Sequence, residues 1–217
     1  FIISTILLTP FLIFLRIFGY RSALAVAKVW AFTVIKTLQY ICGIKYEIYG
    51  SLSKKKGIIF SKHQSTWETI FFLLVIPSPI FIVKKELVYV PFFGWCLYLL
   101  NNICIDRSAG GLMIKKMISE TDQLLSKGFS VILFPEGTRV IVGQKTRLKQ
   151  GGILMIKSLK LPVLPITHNA GKFWPKHSFI KYPGTIQIFF GEPINLGNKT
   201  TDTFKSEIET WMDKKIS

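Results

Sequence analysis

From Lys45 onward the chain alternates between two kinds of segment, and this alternation restricts its fold more than any other feature. Short runs of β-branched and aromatic residues fall at Tyr46–Tyr49, Ile58–Ser61, Ile80–Val83, Ile103–Ile105, Val131–Phe134, Val163–Ile166 and Ile186–Phe190. Helical patterns lie between several of them, at Trp67–Val75, Gly110–Ser126 and Gly152–Lys160, and a last one covers Thr203–Ile216. Strands alternating with helices predict an α/β fold, a single layered domain with a mixed, parallel-rich central sheet flanked by helices. The sequence shows no internal repeat and no low-complexity linker.

Ahead of this domain lies a different kind of sequence. Phe1–Leu15 carries no charge. As a helix it would span roughly 22 Å, short of a ~30 Å hydrocarbon core, and Pro10 is expected to interrupt it. The first residue is Phe rather than Met, and missing upstream residues would lengthen this run. Ala23–Ile44 is apolar but holds Lys28 and Lys36, about 80° apart on a helix. Trp30, Tyr40 and Lys45 are residues favoured at membrane interfaces. We read residues 1–44 as a two-helix membrane-associating element and residues 45–217 as the α/β domain. A secretory signal fits badly, because Arg16 and Arg21 lie between the apolar run and the small residues SALAVA.

The charge is uneven. Lys and Arg number 28 against 12 Asp and Glu, a net +16. From Arg139 to Lys181 there are nine Lys/Arg and no acid, whereas solvated faces usually mix signs. This points to a polyanionic partner, either nucleic acid, an anionic membrane surface or a phosphorylated substrate. A nucleic-acid binder is disfavoured, because no strand-like run interleaves aromatics with basic residues. Cys42, Cys96 and Cys104 cannot close a disulfide framework, and three histidines away from any cysteine cluster make a zinc site improbable. A reducing compartment fits this cysteine usage.

Four blocks carry candidate chemistry. The first is SKHQSTWET, Ser61–Thr69. On one continuous helix His63 and Glu68 would stand about 140° apart and not meet. They meet if His63 lies in the turn after a strand and Glu68 in the first helical turn. Ser65 and Glu68 also have capping-box spacing. Glu68 then reads both as a cap, with His63 a satisfied loop histidine, and as the carboxylate that holds a histidine general base. A hydrolase using Ser65 lacks a G-x-S-x-G elbow.

The second block, Lys84–Arg107, places a cation at the end of each of two strands, where α/β folds put ligands. The same two residues could be plain surface cations. The third, FPEGTR (Phe134–Arg139), follows a strand. Its Gly137 permits close backbone approach, Arg139 is a planar donor suited to phosphate, and Glu136 can accept hydrogen bonds from nearby backbone or Arg. The fourth, Leu161–Ile166, is apolar and reads as core or as a wall facing an acyl chain.

In this order and spacing the four blocks resemble the glycerolipid acyltransferase family, most closely its bacterial 1-acyl-sn-glycerol-3-phosphate (lysophosphatidic acid) acyltransferases. The likeness covers about Lys56 to Gly191. His63 to Glu68 matches the family's H-x4-D/E block. Lys84, Leu87, Pro91, Gly94, Ile105 and Arg107 match the second, FPEGTR matches the third unchanged, and Val163–Ile166 matches the fourth. Glu68 stands where most members have Asp, and Asn101 where they have Gly.

The resemblance implies acyl transfer from a thioester of acyl-carrier protein or coenzyme A to the sn-2 hydroxyl of lysophosphatidic acid. His63 would be the base and Glu68 its orienting acid. Lys84, Arg107 and Arg139, with the backbone at Gly137 and Thr138, would bind the acceptor's phosphate, and Glu136 would shape that pocket. It implies no metal, no cofactor beyond the thioester co-substrate and no covalent acyl-enzyme. Membrane lipids are the implied partners, and the cytoplasmic side of the inner membrane the implied location. Other acceptors in the same family, glycerol-3-phosphate, another lysophospholipid or an amino-acid lipid, are alternatives, as is a non-catalytic membrane-surface module. Nothing in the sequence sets chain-length preference or oligomeric state.

Overall fold

The computed structural model describes residues 2–53 and 57–214. Phe1, Lys56 and the expected helix end at Ile216 lie outside the described residues. In chain order the elements are α1 (Ile2–Arg16), α2 (Tyr20–Ile41), β1 (Ile44–Tyr49), β2 (Ile58–Ser61), α3 (Trp67–Val75), β3 (Pro79–Lys84), α4 (Phe93–Leu99), β4 (Ile103–Ile105), α5 (Gly110–Ser126), β5 (Ser130–Leu133), α6 (Gln150–Leu159), β6 (Val163–His168), β7 (Gly184–Phe190) and α7 (Thr201–Lys214). Short 3₁₀ turns occupy Lys85–Tyr89, Arg107–Ala109 and Ala170–Lys172. The chain forms two compact units, residues 2–36 with 70–131 and residues 37–69 with 132–214.

The first unit gathers α1 and most of α2 with the segments that carry the second sequence block. Leu12, Ala23, Leu24, Ala27 and Leu100 form one buried cluster, to which Leu73, Cys96 and Leu99 add. Helix α1 runs through Pro10 rather than breaking there. Its inward side is fixed by buried Thr9 and Leu12, and the Thr9 hydroxyl donates to Thr5 O at 2.7 Å. Most of its other apolar residues stay outside, with Leu7, Phe11 and Phe14 all more than half exposed. Lys28 reaches the carbonyls of Leu74 and Ile76, which places a cation at the C-terminal end of α3, where the helix dipole favours it.

Strands β3 and β4 pair in parallel, with Lys84 opposite Ile105. Helix α5 buries Met117, Thr121 and Leu125, one side of the helix at four-residue spacing. Helix α4 has no counterpart in the sequence reading, because its seven aromatic-rich residues follow Pro91 without a helical period. It forms because Gly94 lets the chain pack on itself, since a Cβ there would lie 2.1 Å from Val88 O. Asn101 adopts φ 59°, a left-handed conformation that glycine takes freely and that asparagine tolerates better than most residues. This accounts for asparagine at a position where the resembling family has Gly.

In the second unit the strand order is β1-β7-β6-β2-β5. Three of the four pairings are parallel, and only β6–β7 is antiparallel. All residues of β2 and of β6 are buried. Strands covered on both faces read as apolar runs, as these do up to Phe60 and Ile166 before their polar C-terminal ends. Helix α7 contributes Phe204, Ile208 and Met212 to the core and starts at Thr201 because the Thr200 hydroxyl accepts the Thr203 N–H. The α/β class and the parallel-rich sheet expected from the alternation are therefore present.

Candidate active site

The turn from β2 into α3 brings His63 and Glu68 together. Nδ1 of His63 lies 2.8 Å from Oε1 of Glu68. The same oxygen accepts the backbone N–H of Gln64 at 2.8 Å and of Ser65 at 2.9 Å, and Ser65 Oγ in turn accepts the Trp67 N–H. The capping box and the His–Glu pair are thus one structure, and Glu68 serves both ends of it.

Glu68 is completely buried. Burial acts to raise its pKa, but attraction from His168, the hydrogen bond and charge of His63, and the Ser65 N–H outweigh it and hold the carboxyl below its ordinary range. An ionised carboxylate only accepts, so Nδ1 of His63 carries the hydrogen, and in the neutral ring the lone pair is then on Nε2. The His63 side chain is 21% exposed.

The third block folds onto the first. The His63 backbone N–H donates to Glu136 Oε2 at 2.7 Å, and the His63 carbonyl accepts from Val140 N–H at 2.7 Å. The Phe134 ring stacks on the imidazole, with centroids 4.1 Å apart. Arg139 Nη1 donates to Thr66 Oγ1 at 3.2 Å. Gly137 has φ 75° and closes the turn by donating to Phe134 O. Thr138 is exposed. Among the described residues, Glu136 Oε1 is buried without a hydrogen-bond partner. Burial lifts the Glu136 carboxyl to about 8, against the pull of the His63 N–H and the Lys62 charge.

Sequence reasoning missed a set of buried polar residues behind this turn. Lys62 pairs with Asp213 of α7 at 2.9 Å, and Asp213 also accepts the N–H and hydroxyl of Thr146. Buried His168 accepts the Ala170 N–H at Nδ1 and donates from Nε2 to the Lys62 carbonyl at 2.9 Å. Its own pKa is pushed down, chiefly by burial. Gln64 accepts the Gly171 N–H. The signal available was position: Lys62 adjoins His63, and His168 follows the fourth block by two residues.

Lys84 and Arg107 belong to the first unit. Lys84 ends β3, exposed, and Arg107 opens the 3₁₀ turn after β4. The ion pair in this region joins their neighbours, Lys85 and Asp106.

The architecture and the motifs can be set beside known proteins. The acyltransferase family model matches residues 43–169. A Pseudomonas aeruginosa protein called 1-acyl-sn-glycerol-3-phosphate acyltransferase is 42% identical over 88% of this chain and 77% of its own length. The chain belongs to the acyltransferase family. A Limnanthes alba acyltransferase of the same name is 32% identical over 75% of this chain, which spans 59% of that protein. The crystal structure of the 1-acyl-sn-glycerophosphate (LPA) acyltransferase PlsC from Thermotoga maritima has the same fold, with a TM-score of 0.74 over 99% of this chain and 95% of that one, at 20% identity. In this acyltransferase the matched segment includes His63, Glu68, Glu136 and Arg139 and ends before Ala170, Gly171 and Asp213, the last of which the C-terminal helix supplies.

Proposed function

We propose that this acyltransferase moves an acyl group from a thioester of acyl-carrier protein or coenzyme A to the sn-2 hydroxyl of lysophosphatidic acid, making phosphatidic acid for phospholipid synthesis. One observation carries the reading. The imidazole of His63 is braced at Nδ1 by Glu68, in a chain 42% identical to a protein of that name.

Nε2 of His63 takes the proton as the hydroxyl oxygen bonds to the thioester carbonyl carbon. The tetrahedral intermediate collapses, the C–S bond breaks, and the imidazolium returns its proton to the departing thiolate. Glu68 stays ionised and stabilises the imidazolium between the two transfers. The Phe134 stack fixes the ring plane. A thioester is already activated, so no acyl-enzyme has to form.

Arg139, with the backbone at Gly137 and Thr138, binds the acceptor's phosphate, and Glu136 shapes the pocket by holding the His63 backbone. Fixing the phosphate fixes the hydroxyl at the base and recovers part of the entropy lost in joining two substrates. Lys84 and Arg107 carry the same phosphate assignment by resemblance alone.

Residues 1–44 are the membrane-associating element. Helix α2 is long and apolar enough to cross a bilayer, by length and composition, and α1 leaves apolar side chains exposed. The enzyme then works on the cytoplasmic side of the inner membrane, where lysines and arginines near an anionic leaflet add ~1 kcal/mol each.

Comparing acceptors tests this. Lysophosphatidic acid should be used at least ~10²-fold more efficiently than the monoacylglycerol that lacks its phosphate. Arg139→Ala should erase most of that preference, chiefly through the acceptor's KM. Equal use of both acceptors by the unaltered protein would contradict the phosphate assignment.

A further inference from the structure

In the second unit a short loop joins the Ala170–Lys172 turn to β7 and presents Phe179 almost wholly to solvent, at 94% exposure. Ile180 beside it is 61% exposed, and Tyr182 is 49% exposed. The loop is tied at its base, where Trp174 N–H donates to Ala170 O and Tyr182 N–H to Phe173 O. Phe173 packs so closely on the backbone of Gly184 that a Cβ there would lie 2.2 Å from its ring.

The tip is tied as well. Trp174 Nε1 donates to Ser178 O, Ile180 N–H donates to Ser178 Oγ, and Lys181 Nζ donates to Phe179 O while lying 4.4 Å over the Trp174 ring. A floppy loop could fold Phe179 back onto the protein. This one is cross-linked in a shape that holds two apolar side chains out.

The surroundings are cationic. Lys172, Lys176 and Lys181 flank the tip, and no acid occurs from Arg139 to Lys181. Exposed apolar residues rimmed by lysines, with Trp174 and Tyr182 beside them, match the interfacial layer of an anionic bilayer: rings and aliphatics at the acyl boundary, ammonium groups at phosphates.

We propose that the loop of residues 173–182 is a membrane contact in its own right, inserting Phe179 and Ile180 into an anionic lipid surface while Lys172 and Lys176 engage headgroups. This rests on the reading that the enzyme works at a membrane. An acidic carrier protein would account for the lysines, whereas the apolar tip held out between them calls for an apolar phase to enter.

The test uses the full chain and its partitioning onto vesicles of phosphatidylcholine, with and without phosphatidylglycerol. Phe179→Ser/Ile180→Ser should partition on the order of tenfold more weakly onto both. It should keep the circular dichroism, melting temperature and activity toward a short-chain acceptor in free solution. Lys172→Gln/Lys176→Gln should lose most of the gain that phosphatidylglycerol gives the unaltered protein. If the unaltered protein binds vesicles and the tip variant binds them equally, the loop proposal is overturned and the membrane reading stands. If the unaltered protein does not bind vesicles, both fall. If the variants lose affinity for acyl-carrier protein while vesicle binding is unchanged, the loop docks the donor and the lipid contact is wrong.

Discussion

Oε1 of Glu68 is shared by three donors: Nδ1 of His63 at 2.8 Å and the backbone N–H groups of Gln64 and Ser65. A carboxylate held by two main-chain donors cannot swing, so the imidazole it holds cannot swing either. The pairing is possible because the chain turns from strand to helix between the two residues. Five positions along a helix would have kept them apart.

Replacing Glu68 by Gln keeps the size and removes the charge. The imidazolium formed during transfer loses its counter-ion, and kcat should fall by on the order of 10²-fold with little change in KM. Stability should respond too. The folded Glu68 carboxyl lies below its ordinary value of 4.5, so its contribution is present above that value and drains away as pH falls through the folded one. Denaturant unfolding followed from neutral pH into acid should show a shallower loss of stability in Glu68→Gln. An identical acid limb would contradict the assignment.

Glu136 behaves in the opposite sense. Burial above all raises its carboxyl to about 8, with Glu68 and Asp213 adding to the rise. Folding therefore binds a proton between the ordinary value of 4.5 and about 8. The stability this contributes is complete below the lower value and is lost as pH rises to the upper. Glu136→Gln stays neutral and still offers a carbonyl to the His63 N–H. Its stability should decline less than that of the unaltered protein as pH rises across this window, as measured by urea unfolding at both ends of it.

How much of this was readable beforehand differs by element. Strands β2 and β4 and helices α3 and α5 have the bounds their patterns gave, because β-branched runs and four-residue spacing are properties of local sequence. The course of α1 through Pro10 was not legible, since it depends on packing in the first unit. Helix α4 needs the close approach at Gly94. In the site, His63, Glu68 and the FPEGTR turn were legible because each forms over a few residues. Lys62 with Asp213 was not, for those partners are 151 positions apart and only the tertiary fold joins them.

That pair makes its own prediction. The Lys62 side chain is 5% exposed and Asp213 33% exposed. Asp213→Asn leaves a buried ammonium without its counter-ion, which should cost about 3 kcal/mol, the low end for breaking a buried pair, because Asp213 is partly solvated. Pairing it with Lys62→Met should restore much of the loss in a urea titration. If the double variant is no more stable than Asp213→Asn alone, the pair is not what holds the turn before His63.

The most direct measurement supplies purified protein with lysophosphatidic acid and a labelled acyl thioester and follows labelled phosphatidic acid. The unaltered protein should form it, and His63→Ala should form it more slowly by ~10²–10⁴-fold or more, with an unchanged melting temperature. Undiminished product from a folded His63→Ala would contradict the role given to that imidazole.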